Sequence, residues 1–166
     1  MQAIKIRESV ESDKSSLIKL FFEFGEFLKK TDEKYLNMLL VPEDYGQRYY
    51  KMMIDDVEKK QGKIYVVEDS ERLVGFIAGV ILEVGNNEEE FDFKPHRMGR
   101  VIELFLEEKY RGMGLGSVLI KKMEEYFKEN KCYKINIEVF APNVNSYKFY
   151  KKHGYTDRNN DVVKVI

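Results

Sequence analysis

Val101-Ile102-Glu103-Leu104-Phe105-Leu106-Glu107-Glu108-Lys109-Tyr110-Arg111-Gly112-Met113-Gly114-Leu115-Gly116-Ser117 is the stretch that decides the fold of this 166-residue chain. An apolar run with strand character ends at Leu106, a turn follows with glycine at 112, 114 and 116, and an amphipathic helical pattern starts at once behind it. Strand, glycine turn and helix in that order leave several backbone N–H groups open at a helix start. There the orphan donors and the helix dipole both favour an anion. Glycine also lets the backbone take positive φ and approach a phosphate closely. The turn therefore predicts a phosphorylated ligand.

Outward from this stretch the pattern is that of a mixed α/β domain. Residues 3–7 alternate apolar and charged side chains, as a half-buried strand does. Ser12 and Asp13 make a helix start, and Leu17, Leu20, Phe21, Phe24, Phe27 and Leu28 recur behind them at helical spacing, fading at 29–32. Pro42 stands where a first helical position belongs, and Tyr45, Tyr49, Met52, Met53 and Val57 predict a second helix to about residue 60. Two β-branched runs, 63–68 and 73–84, are separated by Asp69-Ser70-Glu71-Arg72 and read as an antiparallel hairpin. Residues 85–95 read as a polar, acidic loop, and 100–106 as the strand of the opening stretch. Its helix covers 114–129, with Leu115, Val118, Leu119, Met123, Tyr126 and Phe127 inward. A strand over 134–140, a short helix over 143–152 stopped by Gly154, and a final strand over 162–166 complete the expectation. The sheet should be largely antiparallel with one βαβ crossover at the glycine turn, and the whole chain, 1–166, should form a single domain.

Composition narrows the partners. Lys plus Arg (28) nearly balances Asp plus Glu (29), so no broad basic face points to nucleic acid. No apolar stretch is long enough to cross a membrane. A single cysteine excludes an intrachain disulfide, two histidines make a zinc site a poor expectation, and the cysteine usage predicts a reducing cytoplasm. No metal is expected.

Three phosphate-binding turns compete for residues 111–117. A P-loop needs Gly-Lys-Ser/Thr at the helix start, and Gly116-Ser117 lacks the lysine. The dinucleotide fingerprint matches imperfectly, with Ser117 at its third small position, although Glu138 stands at about the distance of a ribose-binding acid. That fold also requires two parallel halves, whereas a hairpin precedes this turn. The third pattern fits best. Arg111-Gly112-Met113-Gly114-Leu115-Gly116 resembles the Arg/Gln-x-x-Gly-x-Gly/Ala signature of the GNAT superfamily of acyl-CoA-dependent N-acyltransferases. Asn143-Val144-Asn145-Ser146-Tyr147-Lys148-Phe149-Tyr150-Lys151-Lys152-His153-Gly154-Tyr155 resembles the family's closing Asn-x-x-Ala-x-x-x-Tyr-x-x-x-Gly-Phe segment, departing from it at Ser146 and Tyr155. Ile6, Arg7 and Asp13 resemble its opening elements, and Leu73-Val74-Gly75-Phe76 its central hairpin.

The resemblance implies an acetyl-CoA:amine N-acetyltransferase working by direct transfer in a ternary complex. The amides of Met113, Gly114, Leu115, Gly116 and Ser117 would cradle the CoA pyrophosphate, with Gly112 and Arg111 shaping the turn. The fourth strand would splay from the fifth so that the backbone of Leu104, Phe105 and Leu106 meets the pantetheine arm, and Asn143 would contact the arm or its sulfur end. Tyr150 matches the family's general acid. Glu103 is the candidate base from its place on the strand leading to the turn, with Ile102 and Leu104 expected on the other face and burial expected to raise its pKa. A backbone N–H near 104–106 would serve the oxyanion. The acceptor would be a small-molecule or peptide amine, and the acidic run 88–92 would attract it. A homodimer is the expected assembly. A non-catalytic acyl-CoA-binding module and a dinucleotide-binding protein stay open as other functions.

Overall fold

The computed structural model describes residues 4–85, 92 and 94–165. The expected acidic run 88–92 therefore lies almost wholly outside the described residues, as do residues 1–3 and 166. The order of elements is β1 (Lys5–Glu8), α1 (Lys14–Asp32), α2 (Tyr45–Lys59), β2 (Lys63–Asp69), β3 (Arg72–Val84), β4 (His96–Leu106), α3 (Leu115–Glu129), β5 (Lys134–Ile137) and α4 (Val144–Lys152), with short 3-10 turns at Glu11–Asp13 and Glu108–Tyr110. The five strands form one sheet in the order β1-β2-β3-β4-β5, antiparallel except for the parallel pair β4/β5. The expected crossover is the β4-α3-β5 unit.

Each face of the sheet carries its own core. On one side α1 and α2 bury Leu17, Leu20, Phe21, Phe24 and Met53 against Ile64, Val66, Phe76 and Phe105. On the other, α3 buries Leu119, Ile120, Met123 and Phe127 against Val67, Val74, Ile77 and Val101, and Tyr150 of α4 joins them. The α1/α2 crossing is very close, because a Cβ on Gly46 would stand 2.3 Å from the Ile18 carbonyl oxygen. The N-terminal end is fixed by Arg7, whose guanidinium donates to both Asp13 oxygens (2.7 and 2.9 Å) and to Glu68 (2.7 Å), tying β1 and the first turn to β2.

Four expectations need correction. The fourth strand starts at His96 rather than 100, because its antiparallel pairing with β3 continues to Val84. The fifth ends at Ile137 rather than 140, since its last partner on β4 is Val101. Residues 162–165 form no strand, and Val162, Val163 and Val165 are exposed. On α3 the inward set includes Ile120, whereas Val118 faces solvent; Met52 on α2 likewise points outward, beside buried Met53.

Candidate active site

The site forms where β4 outruns β5. Pairing between them stops at Val101/Ile137, while β4 continues to Leu106, so among the described residues no strand covers that edge from Ile102 onward. The side chains there stay in the core: Leu104 and Leu106 pack toward α3, Phe105 toward α1 and α2. Leu104, Phe105 and Leu106 lie on this segment unpaired with β5, and their backbone edge is suited to pair with an extended ligand.

Directly after β4 the chain turns through Gly112 (φ +75°) and Gly114 (φ +82°), and Gly114 is the N-cap of α3. Both values lie in the left-handed region that glycine enters without penalty. A Cβ on either residue would meet nothing within 4 Å, so the outer face of the turn is open. The first turn of α3 presents the amides of Leu115 and Gly116 at this face, whereas the Ser117 N–H already donates to the Gly114 carbonyl (3.0 Å). Met113 is exposed at the tip of the turn. Arg111 is a staple rather than a free cation. Its Nε donates to the Leu106 carbonyl (2.8 Å) and its guanidinium lies over the Phe27 ring (4.6 Å). Ser117 Oγ and His153 Nε2 are 2.9 Å apart, with His153 Nδ1 against the Phe149 carbonyl (2.8 Å), which ties the α3 start to the end of α4. That link is absent from the sequence reading, where His153 is only a helix-end residue.

Two titratable groups flank the open edge. Glu103 is half-buried on the α1/α2 side, and its Oε1 accepts a hydrogen bond from Tyr49 Oη of α2 at 2.7 Å. A β-bulge explains this orientation. Ala78 pairs with Glu103 but Gly79 with Val101, so Ile102 is the extra residue. Ile102 therefore shares the α1/α2 face with Glu103, and only Leu104 lies opposite, contrary to strict alternation. Burial pushes the Glu103 carboxyl up to about 7, against the pull of the Tyr49 hydrogen bond and of nearby Arg100. Tyr150 is buried, its ring edge-on to Phe149 (5.2 Å) and Tyr155 (5.7 Å). Among the described residues no hydrogen bond engages its hydroxyl. Burial first, and then the charge of Glu103, push this phenol above its ordinary range, so it keeps its proton near neutrality.

Asn143 is the N-cap of α4, its Oδ1 accepting from the Ser146 N–H (3.2 Å), which leaves its amide NH2 free to donate. Tyr49 is a contact of the candidate base that the sequence does not disclose: it reads as one apolar position of α2, and Glu103 is 54 residues away. His96 stands at the opposite end of β4, its Nδ1 against the Lys94 carbonyl (2.7 Å) and its ring against Tyr133. Cys132 lies in the α3–β5 connection, away from the open edge. A cleft of about 500 Å³ opens between α1 and the end of β4 and shares Phe105 and Arg111 with the turn, but Glu103, Tyr49 and Tyr150 do not line it. Among the described residues no cluster of histidine, cysteine or carboxylates is arranged to hold a metal ion, and no helix is long and apolar enough to cross a membrane.

Comparison with known proteins bears on the family and the fold. The family model described as acetyltransferase (GNAT) family matches residues 26–155. An uncharacterized N-acetyltransferase of Methanocaldococcus jannaschii, MJ1530, is 36% identical over 95 residues, which are 57% of this chain and 53% of that protein. A second from the same organism, MJ1207, is 24% identical over 96% of this chain and 62% of its own length. The chain thus spans little more than half the length of these two curated relatives. Thialysine N-epsilon-acetyltransferase of Bos taurus is 25% identical over 95% of this chain and 86% of its own. Among solved structures, a predicted acetyltransferase of Clostridium acetobutylicum with acetyl-CoA superposes with a TM-score of 0.73 at 15% identity, covering 98% and 96% of the two chains; it shares the fold.

Proposed function

The chain belongs to the acetyltransferase (GNAT) family, and from that premise we propose that it transfers an acetyl group from acetyl-CoA directly to a primary amine. What carries the reading is the end of β4 left unpaired beside a glycine turn at a helix start, with the Glu103 carboxyl on β4 and the Tyr150 phenol on α4 near enough for one to sense the other's charge. The residues present fit the donor. The open turn from Gly112 to Gly116 offers N–H groups at a helix start to a diphosphate, and the backbone of 104–106 offers an edge to the pantetheine amides. The Asn143 amide stands ready as a further donor. Acetyl-CoA supplies the thioester carbon that the amine attacks.

An amine is mostly protonated at neutral pH, and only its lone pair can attack. The ammonium loses one proton to solvent, and Glu103, ionised, accepts the second from the acceptor nitrogen as it attacks. The new N–C bond forms as the C–S bond breaks, and the Tyr150 hydroxyl gives its proton to the departing thiolate. The proton held by Glu103 balances the one that Tyr150 has lost, and exchange with solvent resets both groups. A thiol is more acidic than this phenol, so the step from Tyr150 to sulfur runs uphill by itself, and the passage of the Glu103 proton to Tyr150 through solvent carries it forward. The thialysine enzyme's name describes acetylation of an amino group, which supports an amine as the acceptor class here.

Replacing Tyr150 by Phe tests the assignment. Turnover should fall more than about tenfold, within the ordinary worth of a positioned acid. CoA affinity should stay nearly unchanged in calorimetry, because the ring and its packing are kept. An unaltered rate removes Tyr150 from the mechanism.

A further inference from the structure

The chemistry above uses Glu103 but gives no reason for the phenol bound to it. Tyr49 Oη donates to Oε1 at 2.7 Å, and among the described residues no hydrogen bond engages Oε2. The donor is held firmly. Its ring packs edge-on against Phe21 (5.4 Å) and Phe24 (5.8 Å) and stacks on Tyr45 (5.5 Å, 16° between planes). Tyr45 is seated in turn because Gly25 carries no side chain, since a Cβ there would lie 2.5 Å from the Tyr45 ring. Helix α2 itself is pinned to α1 at Gly46, three residues before Tyr49. Two glycines and three aromatic rings therefore fix one hydroxyl on one carboxylate oxygen.

We propose that Tyr49 is a positioning residue that occupies Oε1 of Glu103 and so presents Oε2 as the oxygen that takes the acceptor's proton. The inference rests on the reading of Glu103 as the base and adds how that base is oriented and tuned. The groups facing Glu103 are Tyr49 and Tyr45 from α2, Arg100 from β4, Glu138 beyond β5 and Tyr150 from α4. Arg100 and Glu138 pair with each other (3.0 Å) and pull the carboxyl in opposite directions. Tyr49 is thus the neighbour that favours the ionised form through a direct hydrogen bond, and it offsets part of the burial that disfavours it.

The test titrates the Glu103 carboxyl by carbon-13 NMR in the whole chain without acceptor, with Glu103→Gln assigning the signal. Tyr49→Phe keeps the ring contacts and removes only the hydroxyl. The midpoint, near 7 in the wild type, should rise by about one pH unit or more in Tyr49→Phe, the usual worth of a hydrogen bond to a charged group. With spermidine or a peptide amine as acceptor, the rate limb should move the same way, costing about fivefold at neutral pH and recovering at higher pH, with KM for acetyl-CoA unchanged. In a Glu103→Gln background Tyr49→Phe should change nothing further. An unmoved or lowered midpoint in Tyr49→Phe overturns the positioning role while leaving Glu103 as base. A rate limb that survives Glu103→Gln overturns the base assignment itself.

Discussion

At Glu103, the proposed base, the burial that raises the carboxyl pKa also weakens the fold. In an unfolded chain this carboxyl titrates at about 4.3, and in the folded protein at about 7. The folded form holds its proton to higher pH, so the site's contribution to stability is complete below the unfolded value and is lost as pH rises through about 7. Glu103→Gln should therefore raise the melting temperature at about pH 8 by several degrees, corresponding to about 2–3 kcal/mol, and leave it nearly unchanged at about pH 4. Melting curves that shift equally at both pH values contradict the burial argument. Asp13 has the opposite sign: its bond to Arg7 holds it below the usual carboxylate range, so its contribution is present above the unfolded value and fades as pH falls. Glu103 and Tyr150 were legible as candidates because one sits on the strand entering the turn and the other in a spaced motif. Tyr49 was not, because an aromatic at helical spacing looks the same whether it packs or donates, and its partner is remote in sequence.

Among the elements, the succession of strand, glycine turn and helix from β4 to α3 was legible, though not where β4 begins or that Ile102 bulges, because glycines at positive φ leave a mark in the sequence that tertiary contacts do not alter. Gly114→Ala tests it. With nothing near the added Cβ, the penalty is conformational, about 1–2 kcal/mol, and distortion of the N–H cradle should weaken CoA binding by roughly tenfold or more in calorimetry. Unchanged affinity places the pyrophosphate elsewhere. The strand ends were less legible. Alternation in 134–140 tells which faces are apolar but not where the neighbouring strand departs, and here pairing stops as β4 bulges at Ile102. The valines at 162–165 have strand propensity, but propensity does not supply a partner strand.

For the whole molecule, sheet order matters more than any single contact. Placing the one parallel pair at the edge of an antiparallel sheet leaves the end of β4 uncovered beside a helix N-terminus, and α2 and α4 bring Tyr49 and Tyr150 to it from opposite faces. A site of this shape predicts that CoA and acetyl-CoA stabilise the protein in thermal shift, by about 2.7 kcal/mol at a hundredfold excess over Kd, whereas NAD and ATP do not. Stabilisation by NAD alone would restore the dinucleotide reading. The central claim, direct acetyl transfer to an amine, is tested most directly by incubating the protein with acetyl-CoA and a panel of primary amines while measuring free CoA thiol and the masses of product and protein. One thiol should be released per N-acetylated amine, with no acetyl group on the protein when the amine is withheld. Binding of acetyl-CoA without thiol release across the panel, or an acetylated protein that forms before the amine is added, contradicts that claim.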